Sequence, residues 1–110
     1  MTSQPIATKT SQENIQNRFQ RLTREWKERS KYLSNTAQMS MLRPYQQIIG
    51  MGESAVPLIL EELQREPDHW FWALEMITEE NPVPAAAAGK VRQMAQAWIE
   101  WGKKKGYIGQ

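Results

Sequence analysis

Pro57–Ile77, PLILEELQREPDHWFWALEMI, is the stretch whose reading decides the fold. With Val56 just ahead of it, Ile59, Leu60 and Leu63 complete an i, i+3, i+4, i+7 series, which places one apolar stripe on a helix. Glu61, Glu62, Gln64 and Arg65 take the opposite side. Ser54 is the expected N-cap, and Pro57 suits a first turn, where backbone N–H groups have no helical partner. Glu66-Pro67 stops this helix, because the residue before a proline is pushed out of the α region. Asp68 then reads as the N-cap of a second helix. Trp70, Ala73, Leu74 and Ile77 repeat the same spacing, while Trp72 and Met76 point the other way. A helix apolar on both sides is expected to be buried on both sides, so this one is placed at the centre of the domain, ending at Asn81-Pro82.

Outward from the centre, Thr10 to Glu13 fits a capping box. A helix is expected from there to about Leu33, with Ile15, Phe19, Leu22, Trp26 and Leu33 in one narrow stripe and Glu25–Arg29 as an i, i+4 pair. The stripe can pack inside the chain, on the Trp72/Met76 side of the central helix, or serve as a seam for a second copy in a homodimer or for another protein. Residues 1–9 are polar and expected to be a disordered tail, leaving residues 10–110 as one helical domain. Ala37 to Leu42 reads as a short turn capped by Thr36, followed by a short helix from Pro44 to Ile49 with Gly50 as its left-handed stop. The last helix begins at Pro84 or after Gly89. Its apolar face is Val91, Met94, Ala95, Trp98 and either Trp101 or Gly102, its last turn holds Lys103 to Lys105, and Gly106 ends it.

The run Ile48-Ile49-Gly50-Met51-Gly52, then Ala55-Val56-Pro57-Leu58-Ile59 with Leu63, then Trp72-Ala73-Leu74 with Ile77, resembles a single HEAT-type helical hairpin. The flanks do not repeat it, so it is one unit and not a solenoid. The whole chain is also similar to a group of small uncharacterised bacterial proteins that share Asp68-His69-Trp70-Phe71-Trp72-Ala73-Leu74 and a tryptophan-rich last helix. That resemblance brings no activity; HEAT-like units imply protein binding more often than catalysis, and fold does not fix function. The expected fold is all-α: four to five helices, a HEAT-like hairpin packed between N- and C-terminal amphipathic helices.

Composition narrows the function. The absence of cysteine excludes disulfides, thiolate metal sites and a thiol nucleophile, and agrees with a cytoplasmic protein. No apolar run is long enough to span a bilayer, so no membrane role is expected. The net charge of +2 conceals a pattern. Residues 1–50 carry eight Lys/Arg against three acids, residues 51–82 carry Arg65 against eight acids, and residues 83–110 carry five Lys/Arg against Glu100. Two basic arms flank an acidic centre and are expected to fold onto it.

Catalysis has little to stand on. His69 is the one histidine, and a lone histidine cannot make a multi-histidine metal site. The seven acids between Glu61 and Glu80 lack the Glu-x-x-His pairs of a helical di-metal site. No catalytic residue, cofactor or metal is therefore expected. Five tryptophans in 110 residues are the unusual feature. Trp72 and Trp101 fit their helices' main stripes least, so with Met76 they are the candidate anchors for a protein partner. The sequence reads as a small non-catalytic interaction module, an adaptor or inhibitor. The alternative is nucleic-acid binding through Arg21, Arg24, Lys27 and Lys31 on the first helix together with Lys103, Lys104 and Lys105.

Overall fold

The computed structural model describes residues 4–109, with side chains described from Ile15 to Gly109. Six α-helices follow in order: α1 (Gln4–Ser30), α2 (Thr36–Met41), α3 (Arg43–Gly50), α4 (Val56–Arg65), α5 (Phe71–Thr78) and α6 (Val91–Lys105). Short 3-10 turns occupy Gly52–Ala55 and Ala85–Ala87. Among the described residues there is no strand, so the chain is an all-helical globule with one helix more than the upper expectation.

The α1 backbone is helical from Gln4, ahead of the capping box expected at Thr10, whose side chains lie outside the described ones, as do residues 1–3 of the expected tail. The middle of its stripe forms, with Phe19, Leu22 and Trp26 buried, but the helix ends at Ser30, so Leu33 lies outside it. The destination differs from the expectation. α1 packs mainly on α3, and its aromatics meet Trp70, not Trp72 and Met76. Trp26 lies 4.6 Å from Trp70 and 5.1 Å from Tyr45, centroid to centroid. Tyr45 stacks on Trp70 at 5.8 Å, and Phe19 reaches the same indole at 5.8 Å. Each such pair adds about 0.5–1.5 kcal/mol beyond its buried area, so this knot fastens α1 and α3 to the entry of α5.

The helices of the expected hairpin each have another principal neighbour. α5 packs on α3, and α4 packs on α6. The α4–α6 seam is close because Gly102 faces Leu60: a Cβ at that position would stand 2.5 Å from Leu60 Cδ1. Trp101 and Gly102 are both buried. Gly106 ends α6 as expected, and does so in the left-handed region at φ 85°, with Tyr107 N–H returning to the Gly102 carbonyl at 2.9 Å.

Several local expectations are corrected. Gly50 is helical, and the left-handed glycine is Gly52 at φ 73°. Asn35, not Thr36, caps α2 by accepting from Gln38 N–H at 3.2 Å. Ala55, not Ser54, precedes α4, because a 3-10 turn leads directly into the helix. Glu25 pairs with Arg21 at 3.4 Å and not with Arg29.

Asp68 does not cap α5. Its carboxylate accepts from the adjacent His69 N–H at 2.7 Å and faces Lys27 at 3.5 Å. The capping role passes to Tyr45 of α3. Its phenol oxygen accepts from Ala73 N–H, in the first turn of α5, at 2.9 Å and donates to the His69 carbonyl at 3.1 Å. A buried phenol therefore satisfies backbone groups at the helix start that a local side chain leaves open.

Candidate functional site

The sequence places two apolar rows on α5, and the structure treats them differently. Ala73 and Leu74 are buried and Ile77 is half-buried, together with Trp70 just before the helix. Trp72 is 41% exposed and Met76 51%. The expectation that both sides would be covered is overturned, because the helix expected to cover the second row, α1, is held on the Trp70 side by Trp26 and Phe19.

Trp72 opens onto a groove of about 640 Å³. One wall is α2, with Thr36, Ala37, Ser40 and Met41. Phe71, Trp72 and Glu75 of α5, with His69 before it, form a second. Gly89, Val91 and Met94 at the entry of α6 close the third, and Tyr45 lies in the groove lining between the helices. Met41 is 67% exposed at this opening. The Trp72 ring stacks near Tyr45 at 6.5 Å, with the planes 16° apart, which ties the open indole to the buried knot. Burial pushes the Tyr45 hydroxyl strongly upward; the hydrogen bond from Ala73 N–H opposes this, and the negative fields of Asp68 and Glu75 add to it. The phenol stays neutral, as its donor bond to His69 requires.

Trp101, the third expected anchor, is not on this surface. It is 9% exposed, meets Trp98 edge-on at 5.0 Å, stacks on Tyr107 at 5.4 Å, and donates its indole N–H to Glu80 Oε1 at 3.0 Å. That bond is the largest cause holding the Glu80 carboxyl below its usual range, with Lys105, 3.5 Å away, adding to it.

The expected basic face of α1 is divided by its own partners. Lys27 turns into the acidic centre and meets Glu66 at 2.9 Å, Asp68 at 3.5 Å and Glu62 at 3.8 Å. Burial lowers its pKa, but the Glu66 hydrogen bond and the three carboxylate fields outweigh burial and leave it raised. Arg21 pairs with Glu25, and Lys31 with Glu28 at 2.9 Å. Arg24 is exposed and sits with Arg18 and Arg21 around a shallow recess. In the last turn of α6, Lys105 bridges to Glu80, Lys103 is half-buried and Lys104 is exposed. Lys27 and Lys105 are thus points where the basic arms reach the acidic centre.

Sequence reasoning missed α2's share of the groove. It also missed that His69, Thr36 and Ser40 line one space, since their separation along the chain gives no spacing signal. Ser40 Oγ donates to the Ala37 carbonyl at 2.9 Å, and no hydrogen bond joins it to His69 among the described residues. Nor, among those residues, do three His, Cys, Asp or Glu side chains come together as a metal site would need. No described helix is long and apolar enough to cross a membrane.

No family model, curated protein or solved structure matches this chain. The protein is an all-helical globule in which Trp72 of one short helix lines an open groove and Met76, one turn further on, is exposed.

Proposed function

We propose that the chain is a small non-catalytic protein-interaction module, of the adaptor or inhibitor kind, working in a bacterial cytoplasm and docking its partner on the α2–α5–α6 groove. The observation that carries this reading is the exposure of Met41 and Trp72 in the lining of one groove, with Met76 exposed one helical turn from Trp72. Contiguous exposed apolar surface marks docking sites, and tryptophan is enriched among the residues that dominate binding energy. In the same proposal, the stretch running from Ile48 through α4 and α5 is a single HEAT-like unit used for binding.

The alternative is nucleic-acid binding by the α1 cations. It is favoured by one observation, the Arg18–Arg21–Arg24 recess of about 630 Å³. Its signature is affinity that falls steeply with salt.

The test uses the protein co-purifying with the tagged chain from native lysate, then purified and titrated against variants. Trp72→Ser and Met76→Ser each weaken binding roughly tenfold or more. Tyr32→Ser, at an 84% exposed position outside the groove, leaves it unchanged. Equal affinity of all three variants would refute the groove as the docking surface.

A further inference from the structure

The groove lining carries one carboxylate among its apolar side chains. Glu75 lies in its lining, half-buried, beside the exposed Trp72. Glu79 follows four residues later as the exposed, left-handed residue that ends α5 at φ 60°, outside the groove lining. Neither carboxylate has an ion-pair or side-chain hydrogen-bond partner among the described residues. The neighbouring acids are already engaged: Glu62, Glu66 and Asp68 with Lys27, and Glu80 with Lys105. The open carbonyls at the C-terminal end of α5 add negative partial charge beside Glu79. The field also reaches inward, since Glu75 adds to the upward push on the Tyr45 hydroxyl after burial, the main cause.

We infer that the occupant is a basic amphipathic helix of a partner protein, seating a bulky apolar side chain between Met41, Trp72 and Met94 and placing a lysine or arginine one turn away against Glu75 and Glu79. This rests on the protein-docking reading and narrows it. Three arguments select the occupant. The groove walls are helices, and among the described residues there is no strand to extend, so recognition works by a helix laid in a groove and not by strand addition. Methionine lines both sides, through Met41 and Met94, with Met76 next to it; flexible thioethers adapt to varied apolar side chains, as target-helix grooves require. The unpaired carboxylates repel phosphate and anionic lipid headgroups and attract cations, which steers a basic helix and selects against an acidic one.

The probes are two synthetic amphipathic peptides of about 18 residues, with one leucine stripe in common and lysines or glutamates on its flanks. Binding to the intact chain is read by fluorescence anisotropy at low and high salt. The lysine peptide binds about tenfold tighter at low salt, and the gap narrows as salt rises. In Glu75→Gln/Glu79→Asn the preference falls to near unity; asparagine is chosen because Glu79 has φ 60°, which it tolerates. Trp72→Ser weakens both peptides alike. A circular-dichroism melt of each variant separates lost binding from lost folding, and Glu79→Asn alone, at an exposed site, gives the same direction at smaller size if the double variant melts early.

Equal binding of the two peptides would overturn the basic-helix occupant and leave the docking reading standing. So would failure of both peptides while the co-purified partner still depends on Trp72. Failure of both, with a partner indifferent to Trp72, removes both readings. Concentration-dependent dimerisation abolished by Trp72→Ser would make the occupant a second copy of this chain and overturn the inference.

Discussion

Trp70 and Trp72 stand two residues apart, yet they belong to different kinds of surface. Trp70 is fully buried, with Trp26, Tyr45 and Phe19 around its ring. Trp72 is 41% exposed, and its ring stacks near Tyr45 of that cluster at 6.5 Å. Both side chains are equally apolar, so hydrophobicity alone does not separate them. The position of α1 does. Its aromatic stripe packs on α3 and meets Trp70 just before α5, which leaves Trp72 uncovered. One side of the segment then holds the fold together, and the other stays open.

Trp70→Ala is the variant that breaks this comparison most severely. It empties the centre of the aromatic knot and is expected to cost about 3–5 kcal/mol in urea unfolding. Trp72→Ala is expected to cost under about 1 kcal/mol in the same assay, as substitutions outside tightly packed sites do. Similar losses at the two positions would mean that both rings support the core.

Gly102→Ala probes the α4–α6 seam, away from the groove. The new methyl group crowds Leu60, which is fully buried and has little room to yield, so a loss of about 1–3 kcal/mol is expected with partner binding unchanged. Tyr45→Phe sharpens the comparison at the residue that joins the two surfaces. It keeps the ring but removes the oxygen that satisfies Ala73 N–H and His69 C=O, at a cost of about 1–2 kcal/mol. Faster amide exchange confined to the first turn of α5 would show that the phenol acts as its cap.

The smallest effect concerns pH. Glu66 is held below its ordinary value by the Lys27 hydrogen bond and charge, and Glu80 chiefly by the Trp101 hydrogen bond. Their contribution to stability is complete above the unfolded carboxylate value near 4.5 and is lost as pH falls through their lowered folded values. Lys27→Met is therefore expected to lower the urea midpoint slightly at about pH 7, with the gap to the wild type shrinking as pH falls below about 4.5. A gap that persists in acid would assign Lys27 a packing role instead of an electrostatic one.

Much of the architecture was legible because it is written in local periodicity. The Trp70–Ala73–Leu74 row, the stop at Glu66-Pro67 and the left-handed Gly106 each depend on residues within a few positions of one another. Burial on the second side of α5 depends on where α1 lands, and no spacing within α5 encodes that. The same limit hid the α5 cap: Asp68 has the residue type and position for it, but Lys27 draws its carboxylate away and Tyr45 replaces it from α3. The covering of Trp101 was hidden for a related reason. It lies beside the main stripe of α6, but Tyr107 folds back over it after Gly106 and Glu80 takes its indole N–H. Of the site, Trp72 and Met76 were readable as leftovers of the α5 pattern, whereas Met41 and the α2 wall were not.

The central claim is that Trp72 is the open ring among five, and acrylamide quenching of tryptophan emission tests it most directly. Trp26, Trp70 and Trp98 are fully buried and Trp101 is 9% exposed, so the wild type should show one readily quenched component over a protected background. In Trp72→Phe that component should vanish while the protected emission remains. Unchanged quenching in Trp72→Phe would contradict the account, because the accessible ring would then lie elsewhere.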